Sequence, residues 1–115
     1  MAFRRPTPDE LLVLKALASI AGMERPDDWL LTLQVQEMDD GGMGSLELVS
    51  RGSPSRRGQE SVTHKAAVQF TDEDGVEVIA SLNASEDGIP FELDMWKTDF
   101  SPIIRIPGVF RRVAG

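Results

Sequence analysis

Near the N-terminus apolar residues recur at helical spacing, and further on they switch to strict alternation, so the pattern predicts one helix followed by a sheet. Leu11, Leu14, Leu17, Ala18 and Ala21 make the helical stripe. Thr7 stands at the cap, Pro8 suits the first turn, and Glu10 sits where a capping-box acid reaches back. Gly22 ends the element, which gives a helix over about 8–21. Pro26-Asp27-Asp28-Trp29 opens a short further turn of helix. From Leu31 the period is two: Leu31, Leu33 and Val35 alternate against Thr32, Gln34 and Gln36, the mark of a half-buried strand.

The rest of the chain repeats that alternation between turn signals. Asp39-Asp40-Gly41-Gly42-Met43-Gly44-Ser45 forces a turn, and Leu46 to Val49 forms the second strand. Arg51-Gly52-Ser53-Pro54-Ser55-Arg56-Arg57-Gly58 is a linker-like loop. Val62, His64, Ala66, Val68 and Phe70 share one face of a third strand, and Asp72-Glu73-Asp74-Gly75 turns the chain. Val76, Val78, Ala80 and Leu82 make a fourth; Ile89, Phe91, Leu93 and Met95 make a fifth, after the turn Ala84-Ser85-Glu86-Asp87-Gly88. Ile103, Ile104 and Ile106 extend or edge the sheet. Hairpin-length connections imply an α+β fold, with the N-terminal helix packed on one face of an antiparallel β-meander of about five strands. The expectation is a single domain over 1–115, with the sheet spanning about 31–106.

Such a meander has a geometric consequence. Connections alternate between its two ends, so the 39–45 turn, the 72–75 turn and the 97–102 corner fall at the same end, which gathers Asp39, Asp40, Asp72, Glu73, Asp74 and Asp99 into an acidic pole. The arginine loop at 51–57 falls at the other end, with Glu86 and Asp87.

Charge sharpens that picture. Nineteen acidic against 12 basic side chains give a net charge of −7, which repels nucleic acid and anionic lipid and favours basic protein partners. The arginine cluster Arg51, Arg56 and Arg57 carries no interleaved aromatics, so nucleic acid is not an expected partner. No apolar run approaches the roughly 20 residues of a membrane span. Asp9, Glu10 and Lys15 break the apolar stretch a secretory signal needs, and the chain has no cysteine, so the expected setting is a reducing cytoplasm.

Motif chemistry is thin. The glycine-rich 39–45 segment lacks the Gly-Lys-Ser/Thr ending of a phosphate loop and is flanked by acids. Asp72, Asp74 and Gly75 resemble the start of a calcium loop, but Val76 stands where a third oxygen ligand is required and Ser81 where a Glu is required. His64 is the only histidine, which excludes a multi-histidine metal site and suits a partly buried structural role. No Gly-x-Ser-x-Gly elbow is present. Glu92 and Asp94, two apart on one strand, share a face with Trp96 and read as a polar sheet face rather than a glycosidase pair. No catalytic residue, cofactor or metal is assigned.

Two stretches carry a family resemblance: Asp40-Gly41-Gly42-Met43-Gly44-Ser45-Leu46, and Phe91-Glu92-Leu93-Asp94-Met95-Trp96-Lys97-Thr98-Asp99-Phe100-Ser101-Pro102. With the Asp-Gly turn at 74–75, the chain resembles, over about residues 8 to 107, a family of small bacterial proteins known only as a domain of unknown function. That resemblance implies a single α+β domain and transfers no catalytic residue. The leading expectation is a non-enzymatic protein-binding module, of the kind found in immunity or antitoxin-like inhibitors. Asp39, Asp40, Asp72, Glu73, Asp74 and Asp99 would supply the field, with Trp96 or Met43 as apolar anchor. The alternative is a small-ligand or divalent-cation binding protein, or an enzyme, with a pocket between the 39–45 loop and the 94–99 corner. A homodimer through a sheet edge or the polar face also stays open.

Overall fold

A computed structural model describes residues 3–50, 63–85 and 88–113, with Thr63 and His64 described by backbone alone. The first helix, α1 (Pro8–Ile20), starts as its sequence dictates: the Thr7 hydroxyl accepts from the Glu10 N–H at 3.1 Å, and the Glu10 carboxylate accepts from the Thr7 N–H at 2.8 Å. It ends in a Schellman turn. Gly22, at φ 78°, donates to the Ser19 carbonyl and Met23 donates to that of Ala18. Val13, Leu14, Leu17 and Ala18 are buried, while Leu11 and Ala21 pack at the margin of the core.

The second helix, α2 (Pro26–Thr32), is longer than the single turn expected, and it takes Leu31 out of the first strand. Pro26 at its start and Asp27 and Asp28 in its first turn favour helix, and Leu30 and Leu33, three apart, are the residues that reach the core. Leu31 points outward at 71% exposure. The strand therefore begins three residues later, as β1 (Gln34–Glu37), followed by β2 (Leu46–Val49), β3 (Thr63–Thr71), β4 (Glu77–Ala84), β5 (Pro90–Lys97) and β6 (Arg111–Arg112).

These strands form an α+β fold with one antiparallel sheet, six-stranded rather than five, in the order β1-β2-β5-β4-β3-β6. Consecutive strands pair as in a meander except that β5 lies between β4 and β2, where Leu93 faces both Leu46 and Leu82. Along β5 the alternation is strict: Phe91, Leu93, Met95 and Lys97 point in, and Glu92, Asp94 and Trp96 point out. Helix α1 packs against β3 and β4, and the inward residues of both layers form a common core. The isoleucines at 103, 104 and 106 do not extend the sheet. They lie in an irregular segment from which Ile103 and Ile106 pack on the core margin while Ile104 is exposed, and the edge of β3 is taken by Arg111–Arg112 instead. The opposite edge is closed by Arg4, whose backbone exchanges hydrogen bonds with Val35 at 2.9 and 2.7 Å. Val62, the arginine cluster at 51–57, Glu86 and Asp87 lie outside the described residues, as does the side chain of His64. Among the described residues no helix is long and apolar enough to cross a membrane.

Candidate functional site

In this strand order β1, β3 and β5 run the same way, so the connections that follow them share one end of the sheet, as the alternation argument requires. Backbone contacts join them: the Ile103 N–H donates to the Gly42 carbonyl at 3.0 Å, and the Thr98 N–H donates to the Glu77 carbonyl at 3.0 Å. Pro102 lies so close to Gly42 that a Cβ there would stand 3.3 Å from the proline Cβ.

At the centre of this end is Lys97, the last inward position of β5, fully buried. Its ammonium donates to Asp72 Oδ2 at 2.9 Å, Asp74 Oδ2 at 2.7 Å and the Pro102 carbonyl at 3.1 Å, which uses all three of its protons. Asp72 is equally saturated. Besides Lys97 it accepts from the backbone N–H groups of Ile104 at 2.8 Å, Arg105 at 3.0 Å and Glu73 at 2.7 Å. Burial by itself would raise the Asp72 pKa, but the Ile104 N–H, the Lys97 ammonium and the other two N–H groups outweigh it and hold the carboxyl at about 2. For Lys97, burial works to lower the pKa, and the hydrogen bonds to Asp74 and Asp72 reverse that and raise it. Both partners stay ionised. A protonated amine with every hydrogen engaged has no lone pair for nucleophilic or base chemistry, so this cluster joins the 72–75 turn to the 97–105 segment.

The glycine-rich loop is organised from within in the same way. Asp40 accepts from the N–H groups of Met43 at 3.1 Å and Ser45 at 2.9 Å, and the Ser45 hydroxyl accepts the Met95 N–H at 2.9 Å. Gly41, Gly42 and Gly44 all have positive φ. The corner after β5 is held by Asp99, which accepts the Ser101 N–H at 3.0 Å and its hydroxyl at 2.6 Å. Those two bonds lower the Asp99 pKa.

All six acids of the expected pole thus belong to this end, in two classes. Asp39, Glu73 and Asp99 are exposed, Glu73 within 3.8 Å of Arg105. Asp40, Asp72 and Asp74 are committed to internal bonds, and Asp72 is inaccessible. Met43 is half-buried. Trp96 is 41% exposed and has a neighbour that sequence reasoning passed over: Phe100, 69% exposed, with ring centroids 6.3 Å apart and planes at 55°. Phe100 sits at φ 63°, the only non-glycine residue with positive φ among those described. An apolar residue directly after a Lys-Thr-Asp run was the available signal for it. Asp94, expected with Glu92 on a polar sheet face, does project from the outer face, with its pKa raised by partial burial, by Glu92 and by Asp40.

The cavity expected between the 39–45 loop and the 94–99 corner takes a different second wall. A cavity of about 240 Å³ lies between the loop and the 103–106 segment, with Glu10, Glu37, Leu46, Ile103 and Ile106 around it, and residues 94–99 do not line it. Its Glu10 carboxylate is bound by both terminal nitrogens of Arg4, at 2.8 and 3.0 Å, and Glu37 is 3.1 Å from the same guanidinium. Among the described residues no three of His, Asp or Glu are arranged to hold a metal ion.

No curated protein and no solved structure matches the chain. A family model does match, over residues 3–107, which covers both glycine loop and corner: the chain belongs to the family described as a domain of unknown function, DUF6984.

Proposed function

We propose that the chain is a non-enzymatic binding module that docks a basic surface of a partner protein with the loop-bearing end of its sheet, in the manner of an immunity or antitoxin-like inhibitor. The observation that carries the reading is the exposed Trp96–Phe100 pair at the acidic end. A left-handed backbone costs a residue such as phenylalanine about 1 kcal/mol or more, and an exposed ring returns little of that through packing. Rigid exposed aromatics are what partner-binding hot spots are made of. At the same end of the sheet Asp39, Glu73 and Asp99 face solvent, and the whole chain carries −7. That field speeds encounter with a cationic partner, and aromatic burial slows release. A reducing, cytoplasmic setting suits a chain without cysteine.

The test starts from a tagged pulldown at low and moderate salt, comparing the wild type with Asp39→Lys/Glu73→Lys. Both replacements are on exposed acids, so the internal bonds of Asp40, Asp72 and Asp74 are untouched. The purified partner is then measured for association rate, expected to fall about tenfold or more between 50 and 300 mM salt. A partner whose association ignores both salt and charge reversal removes the proposal.

A further inference from the structure

The outer face of the sheet gives the docking reading a specific chemistry. Helix α1 lies on the inner face, against β3 and β4, and the outward residues of β5 are Glu92, Asp94 and Trp96. In the neighbouring strand Ile79 is paired in register with Trp96 and Ser81 with Asp94. Phe100 rises beside Trp96 from the corner, tilted at 55° rather than stacked flat, so the two rings and Ile79 form an apolar ledge next to a carboxylate. Glu92 is engaged by the Asn83 amide at 2.8 Å, whereas among the described residues no lysine or arginine bonds to Asp94.

We propose that this ledge seats an arginine side chain of the partner, its guanidinium lying against Trp96 and Phe100 and its N–H groups donating to Asp94. The inference rests on the docking reading above and names the anchor on the partner's side. Charge complementarity selects a cation: Asp94 is exposed on this face and stands in the negative field of Glu92 and Asp40, so an arriving positive charge relieves what its own neighbours impose. Geometry selects arginine over lysine. A guanidinium is planar, weakly hydrated, stacks on aromatic faces and bonds a carboxylate through two parallel N–H groups, whereas an ammonium is a strongly hydrated point charge.

The experiment uses the full chain with Trp29→Phe, which leaves Trp96 as the single indole reporter. Its probes are acetyl-Gly-Arg-Gly-Arg-Gly-amide, the same peptide with citrulline for arginine, and the same with lysine. Trp96 fluorescence and the Trp96 indole N–H resonance are followed during titration. Arginine peptide is expected to give a saturable shift, with affinity about tenfold weaker for citrulline and about threefold weaker for lysine. Asp94→Asn and Phe100→Ala, each with circular dichroism unchanged, are each expected to weaken it about fivefold or more. Absence of a saturable shift at millimolar arginine peptide overturns the seat, and so does equal binding of citrulline or indifference to Asp94→Asn. Binding of the purified partner separates the two ideas. If that partner keeps its salt-dependent binding to Asp94→Asn, the docking reading stands and the seat falls; if binding ignores salt and the exposed acids, the docking reading falls whatever the peptide does.

Discussion

Polar side chains at the signature positions act mainly on their own backbone, and that gives each a measurable stability effect. Lys97 neutralises Asp72 and Asp74 in a buried setting, so Lys97→Met leaves two carboxylates facing each other without a cation. A fall in Tm of more than about 10 °C is expected by calorimetry. Asp72 carries a pH dependence of known sign. Its pKa drops from the ordinary 3.8 to about 2 on folding, so its contribution is fully present above pH 4 and is lost as pH falls toward 2. That contribution is about 2 kcal/mol, and urea titrations between pH 5 and 2 should show Asp72→Asn with a flatter profile than the wild type. Asp94 behaves oppositely: its pKa is raised by burial and by Glu92 and Asp40, so its ionised form opposes folding above that pKa and the opposition vanishes below the ordinary 3.8. Asp94→Asn should therefore raise Tm at pH 7 and leave it unchanged at pH 3. A residue kept at a cost to stability is what a binding role predicts.

Elements were legible wherever one period governed the residues. Helix α1 was readable to within a residue because Thr7, Pro8, Glu10 and Gly22 each act locally, and Thr7→Ala is expected to cost about 1 kcal/mol in a urea melt. Leu31 was misread because three alternating residues fit a strand as well as a helix, and only the burial of Leu30 and Leu33 decides between them. The isoleucines near the C-terminus look like a strand, but among the described residues no strand pairs with them, and Ile103 and Ile106 pack on the core margin instead. For the loop at 39–45 the requirement is steric as well as conformational. Gly41→Ala meets open space and suffers only the left-handed backbone, about 1 kcal/mol, whereas Gly42→Ala adds a Cβ at 3.3 Å from Pro102 and should cost distinctly more. A larger loss for Gly41 would contradict the close docking of loop and corner.

For the whole molecule, the ends of the sheet were easier to read than its strand order. Antiparallel alternation alone placed the three turns together, and inserting β5 beside β2 left that result intact because the direction of each strand is unchanged. Which acids remain available was not legible, since it depends on a lysine 23 residues from one partner and 25 from another. Among the described residues each sheet edge is met over only one or two positions, Val35 by Arg4 and Val68–Gln69 by Arg111–Arg112. The burial of Lys97 also makes the chain its own reporter. Of its three lysines, Lys15 and Lys65 are exposed and Lys97 is sealed, so an amine-acetylating reagent should modify the first two within minutes and reach Lys97 only when the loop end opens. The mass of the peptide bearing Lys97 then times that opening directly, and a partner docked on this end should slow the clock without altering the labelling of the other two.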